Sequence, residues 1–138
     1  MNTKELEDEL QGFCGTFNYY RDAMNIFHTD GVAYLAEKAG AYWLIDAIIS
    51  HQTNKQVRNE EFQVWTLHVA STPEYPTEKH IAAILICTDG DKGDGEKELV
   101  RQNIKYTDFP LDKITLYLEN GSLDGENVHK ILMLPSER

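Results

Sequence analysis

Apolar side chains in this chain change rhythm once, from a helical spacing before about Gln52 to strand-like runs between Glu61 and Pro135. A first helix is predicted over Thr3–Gln11. Leu6 and Leu10 stand one turn apart, Thr3 can cap, and Glu5, Glu7 and Asp8 suit the positive end of the helix dipole. Gly12 and Gly15 end it. Phe17–Arg21 and Asn25–Thr29 are rich in aromatics and fit two short strands. The main helical region opens at Thr29-Asp30-Gly31. At about 100° per residue, Val32, Leu35, Ala36 and Ala39 form one stripe, while Leu44, Ile45, Ile48 and Ile49 fall on nearly the opposite side. A surface helix keeps its stripe in register. The change of side therefore predicts two helices, or one sharp kink, jointed at Gly40, where glycine costs about 1 kcal/mol inside a helix relative to alanine.

Polar His51–Glu60 reads as a connecting loop. Strands are predicted at Phe62–Val69, Ile81–Cys87, Leu99–Tyr106, Ile114–Leu118 and Lys130–Leu134. A loop holding Pro73, Tyr75 and Pro76 follows the first of them, and Ile81–Cys87 is apolar on both faces, as in a strand covered on each side. Asp89–Gly95 is a glycine-rich acidic turn, and Asn120-Gly121 starts another loop. Helices followed by strands indicate an α+β fold. The expectation is one domain over 1–138, with a mostly antiparallel sheet of about five strands joined as a meander and the N-terminal helices on one face.

At 138 residues and 41% apolar composition the chain is long enough to fill one core. The apolar stretch Ala39–Ile49 is interrupted by Asp46 and too short to span a bilayer, and the acidic N-terminus lacks the pattern of a secretory signal. A cytoplasmic protein without membrane contact is expected. The net charge of −10 is uneven: eight acids against five bases over 1–58, fifteen against eight over 59–138. Phosphate backbones would repel such a surface, so no direct nucleic-acid binding is expected.

Candidate chemistry is sparse. No Cys-x-x-Cys occurs, and the five histidines never stand at local ligand spacing, so no metal site is expected. Cys14 and Cys87 lie far apart and fit two free thiols of a reducing compartment. Asp89–Glu96 looks like a calcium loop at a glance. Counted from Asp89, however, Gly93, Asp94 and Val100 occupy positions where an EF-hand needs a ligand, a glycine and a glutamate. A hairpin turn explains the same residues, although whether the 89–98 loop binds a cation is left open. Cys14, His28 and Asp30 hold the residue types of nucleophile, base and orienter, but without any signature of such enzymes; core thiol, strand histidine and helix cap are the preferred readings. No cofactor motif or catalytic residue is assigned. The surface candidate is Tyr42, Trp43, Asp46 and Ser50, along the side of the second helical segment away from its aliphatic stripe. The competing reading packs these aromatics beneath Phe17, Tyr19 and Tyr20.

Thr29–His51, with Phe62–Trp65, Tyr106–Leu111, Ile114–Tyr117 and Leu132–Glu137, resembles a family of small bacterial proteins of unknown function met in genomes, plasmids and phages. The resemblance spans most of the chain, with Ser71–Lys79 and Gly121–Val128 longer than its usual loops. It implies a free-standing domain of mobile-element type and carries no catalytic role onto any residue. Together these readings lead to a non-enzymatic binding or regulatory protein that meets another protein through a surface. Two alternatives remain: an enzyme whose site joins residues distant in sequence, and an acidic mimic of nucleic acid that inhibits a DNA-binding protein. Homo-oligomerisation is left open.

Overall fold

The computed structural model describes residues 3–69, 81–91 and 93–138. The predicted loop around Pro73, Tyr75 and Pro76 lies outside the described residues. The chain runs α1 (Thr3–Gln11), β1 (Tyr19–Arg21), β2 (Ile26–Thr29), α2 (Asp30–Ala39), α3 (Tyr42–Ser50), α4 (Lys55–Arg58), β3 (Phe62–His68), β4 (Ala83–Thr88), β5 (Glu98–Ile104), β6 (Lys113–Gly121) and β7 (His129–Met133).

Among the described residues the strands form one seven-stranded sheet in the order β1-β2-β7-β6-β3-β4-β5. The expectation of α+β architecture holds, but the sheet is not five-stranded, wholly antiparallel or a simple meander. β3, β4 and β5 do follow one another as antiparallel neighbours, after which the chain returns to lay β6 on the far side of β3. That order is a Greek key. The two short aromatic segments extend the sheet further, because β2 joins β7 in parallel, pairing Ile26 with Lys130 and His28 with Leu132, while β1 closes the edge against β2.

Cross-strand register sets Trp65 beside Cys87 and Leu116, Leu67 beside Leu85 and Ile114, and Leu118 beside Leu132. These residues share one face, and they pack with Leu6 and Leu10 of α1, Val32 and Leu35 of α2, Leu44 and Ile48 of α3, and Val57 of α4 in a single core. The helices therefore cover one face, as expected from their separate apolar stripes. β4 is buried at all six positions, including Ile84 and Ile86 on the other face, which agrees with its two-sided apolar sequence.

The helical region breaks where the stripe changes side. Gly40 ends α2 in the left-handed conformation (φ 60°), and the Ala41 N–H returns to the Ala36 carbonyl. The start of α2 is sealed by the chain's last residues. Glu137 accepts hydrogen bonds from Thr29 Oγ1 (2.6 Å), the Gly31 N–H (3.1 Å) and the Leu134 N–H (2.9 Å). Gly31 permits this approach, since a Cβ there would lie 2.6 Å from both Glu137 Oε1 and Leu134 Cδ1. The segment read as loop at His51–Glu60 instead contains a 3₁₀ turn at His51–Thr53 and α4, because Asn54 caps the Gln56 N–H and Val57 buries itself in the core.

A closed polar cluster ties these helices to β3. Gln52 and Gln63 are fully buried and exchange amide hydrogen bonds of 2.9 and 3.0 Å. Trp65 Nε1 donates to Gln63 Oε1 (2.9 Å), while the two side-chain amides donate to the carbonyls of Ile48 and Val57. Among the described residues no helix is long and apolar enough to cross a membrane.

Candidate functional site

The second stripe of α2 lines a cleft that mixes aromatic, acidic and imidazole side chains. Asp30, Ala33, Tyr34 and Glu37 recur at helical spacing on the side turned from Val32, Leu35 and Ala36, and they face Tyr20 and His28 of the sheet edge. Phe13 and Tyr42 complete the walls around a volume of about 530 Å³.

Two carboxylates, Asp30 and Asp22, hold these walls. Asp30 accepts from the Phe17 N–H (2.9 Å) and the Asn18 N–H (3.2 Å) with one oxygen and from Tyr20 Oη (3.1 Å) with the other. Its own N–H donates to Thr16 Oγ1 (2.9 Å), whose hydroxyl donates to the Asn18 carbonyl. The loop before β1 is thus pinned to the first turn of α2. The Phe17 N–H above all, with the Asn18 N–H and Thr16, holds the Asp30 carboxyl below the usual carboxylate range against the opposing effect of desolvation. The Tyr20 phenol moves up, chiefly because it donates to Asp30. On the opposite wall, His28 Nδ1 lies 2.6 Å from Asp22 Oδ2 and its ring stacks on Tyr20 at 5.2 Å. A carboxylate facing Nδ1 holds a proton there, and Nε2 has no hydrogen-bond partner among the described residues.

Aromatic surface remains open around these anchors. Phe13 packs on Tyr34 at 5.4 Å, and Lys38 Nζ stands 5.6 Å from the centre of the Tyr34 ring. Tyr20 is 42% exposed, Tyr42 57% and the neighbouring Phe17 97%. Tyrosine faces attract cations, and a carboxylate with an imidazole acceptor receives N–H donors. In chemical terms the cleft suits a cationic or amphipathic group.

The surface read from sequence is divided here. Tyr42 enters the cleft wall, and Asp46 is exposed one turn further along α3. Trp43, expected to face outward, is half-buried and packs against the core. Ser50 is exposed but directs its Oγ to the Ala47 carbonyl of its own helix. The trio of Cys14, His28 and Asp30 is not assembled as base and orienter: His28 pairs with Asp22, and Asp30 serves Tyr20 and the loop backbone. Cys14 is exposed and free, whereas Cys87 is buried in β4, where desolvation, with Glu60 and Asp89, pushes its thiol up to about 12. The acidic turn binds its own backbone. Asp91 Oδ1 accepts from the N–H groups of Gly93 and Gly95, and Asp89 Oδ1 accepts from the Lys97 N–H. Among the described residues no group of three His, Cys, Asp or Glu side chains could hold a metal ion.

Sequence reasoning missed Tyr20, Asp22, Tyr34 and Glu37. The available signal was the spacing Asp30, Ala33, Tyr34, Glu37, a second stripe on a helix already assigned one.

A family model described as a family of unknown function (DUF6876) matches residues 4–138. The chain belongs to that family. No curated protein and no solved structure gives a match to it.

Proposed function

We propose that this DUF6876 protein is a non-enzymatic recognition module whose aromatic cleft receives a lysine- or arginine-bearing segment of a partner protein. The single observation that carries the reading is the combination at one place of open tyrosine faces and unspent acceptors. Tyr42 and Tyr20 offer rings, Glu37 makes no ion pair among the described residues, and His28 Nε2 has no hydrogen-bond partner among them. A cation over two aromatic rings contributes about 0.5–2 kcal/mol, depending on how far it is desolvated. The chain's net charge of −10 steers cationic partners toward it. Such a module fits a regulatory role of the mobile-element type. Nucleic-acid mimicry has less support, because carboxylates at Asp30, Asp89 and Asp91 are consumed by neighbouring backbone N–H groups rather than spread as a phosphate-like row.

The test is a titration of the isotope-labelled chain with a short Arg- and Lys-rich peptide. Saturable shifts at Tyr20, Tyr34, Glu37 and Tyr42, lost in Tyr42→Ala and weakened in Glu37→Gln, are expected. Equal binding by Tyr42→Ala would discard the cleft as the recognition site.

A second reading has one observation in its favour. The 2.6 Å Asp22–His28 pair with a free Nε2 is the arrangement of an oriented general base. That reading lacks a nucleophile, since Cys14 is not among the residues lining the cleft. It would require a hydrolytic activity that His28→Gln abolishes while peptide binding survives.

A further inference from the structure

β2 begins in a pocket of the opposite chemistry. Arg58 from α4, Lys130 and His129 from β7, Asn120 from β6 and the consecutive residues Met24 and Asn25 surround a volume of about 260 Å³. In a chain of net charge −10, two basic side chains and an imidazole meet there.

The cations are not matched by carboxylates. Lys130 Nζ donates to the Glu60 backbone carbonyl (3.0 Å) and to Asn120 Oδ1 (2.9 Å), both neutral acceptors. Arg58 uses one guanidinium nitrogen for the Gln52 carbonyl at 3.3 Å. Neither side chain takes part in an ion pair among the described residues. Lys130 is half-buried, and desolvation lowers its pKa despite the attraction of Glu61 and Glu60. A cation held partly out of water without a bonded anion is costly. The rim is shaped at a cost as well: Met24 and Asn25 both adopt left-handed backbone (φ 59° each), which methionine rarely does. That geometry turns the Asn25 amide to His129, with Asn25 Nδ2 lying 2.8 Å from His129 Nδ1. Asp124, the acid nearest His129 at 3.9 Å, is engaged by the Glu126 and Asn127 N–H groups and the Asn127 amide.

We propose that this pocket binds a phosphate group, either inorganic phosphate or the phosphate of a small monoester, with Arg58 and Lys130 as its charged donors. The charge matches. Neither cation is bonded to a carboxylate, and a phosphate monoester carries about −1.5 to −2 near neutral pH where a carboxylate carries one charge. Arg58 comes from α4 and Lys130 from β7, so the two charged donors reach the pocket from different elements, and a phosphate offers several acceptor oxygens to share between them. This site is independent of the aromatic cleft.

The experiment titrates the labelled full chain with inorganic phosphate, glycerol phosphate and acetate at ionic strength matched by sodium chloride. Saturable shifts of the Asn25 and Asn120 side-chain amides and the Lys130 backbone are expected with the phosphates and not with acetate. Arg58→Gln removes an exposed charge and keeps the fold, and it should weaken the phosphate response by about tenfold. The tighter of the two phosphates identifies the source of the ligand. Three results would overturn the site: no saturable response beyond the chloride control, equal response to acetate, or unchanged affinity in Arg58→Gln.

Discussion

Two polar clusters sit on the helix-covered side of the same sheet, and they are finished differently. In the Gln52–Gln63–Trp65 cluster the side chains are wholly buried and their amide and indole N–H groups meet acceptors, so the cluster holds α3, α4 and β3 together and presents nothing to a ligand. Around Tyr20, His28 and Asp30, hydrogen bonds fix the position of each side chain but leave a ring face or a lone pair uncommitted. Buried polar groups must be satisfied to be tolerated, whereas a recognition site needs groups that are held in place and still available. Residue type does not separate the two clusters. The fraction of each group's bonding capacity already used does.

The largest effect expected from breaking this contrast is in the closed cluster. Gln63→Ala strips partners from Gln52, the Trp65 indole and the Val57 carbonyl at once, and it should destabilise the fold by roughly 2–4 kcal/mol in urea unfolding. A loss under about 1 kcal/mol would mean that water enters and replaces those bonds. Next comes the seal at α2. Glu137→Ala frees two donors at the helix start and the Leu134 N–H, and should cost about 1–2 kcal/mol in the same measurement.

These two clusters also mark where the sequence was legible. α1, the joint at Gly40, strands β3 to β7 and the self-bonded acidic turn follow from local periodicity and turn chemistry, which a window of a few residues contains. The parallel pairing of Ile26 with Lys130 does not, because it joins residues about a hundred positions apart, and strands of three or four residues offer too few positions to show alternation. The return of β6 across β4 to β3 is likewise a fact of assembly. Tyr42 was read as exposed from the face it occupies on α3, and it is. Trp43 was misplaced because the pattern of one helix does not reveal how its neighbours cover it. Asp22 and Tyr20 could not be paired with His28 and Asp30 before β1 and β2 were known to form a hairpin.

Acid should act on the open cleft through Asp30. Its carboxyl is held below the usual range by the Phe17 and Asn18 N–H groups, so it stabilises the fold above that range and the contribution is lost as pH falls through the depressed folded value. The stability gap between the native chain and Asp30→Asn should therefore be present at neutral pH and close in strong acid. A gap independent of pH would show that the asparagine loses geometry rather than charge.

Thiol reactivity separates closed from open in the same way. Cys87, buried with its thiol pushed up to about 12, should resist iodoacetamide in the native chain, while exposed Cys14 should react. One thiol modified per folded chain and two in urea is the expected count. Rapid native labelling of both would mean that β4 opens locally on the timescale of the reaction.

The smallest change in stability, and the sharpest test of the contrast, belongs to Tyr42→Ala. The ring is more than half exposed and makes no aromatic pair among the described residues, and Tyr42 occupies the first turn of α3, where alanine is at least as good a helix former. Urea unfolding should therefore stay within about 0.5 kcal/mol of the native chain. A side chain that can be removed without cost to the fold contributes its area to something other than folding, and its loss should be visible only when a cationic peptide is added. If Tyr42→Ala instead destabilises the chain as strongly as Gln63→Ala, the aromatic wall is part of the core and the two clusters are not different in kind.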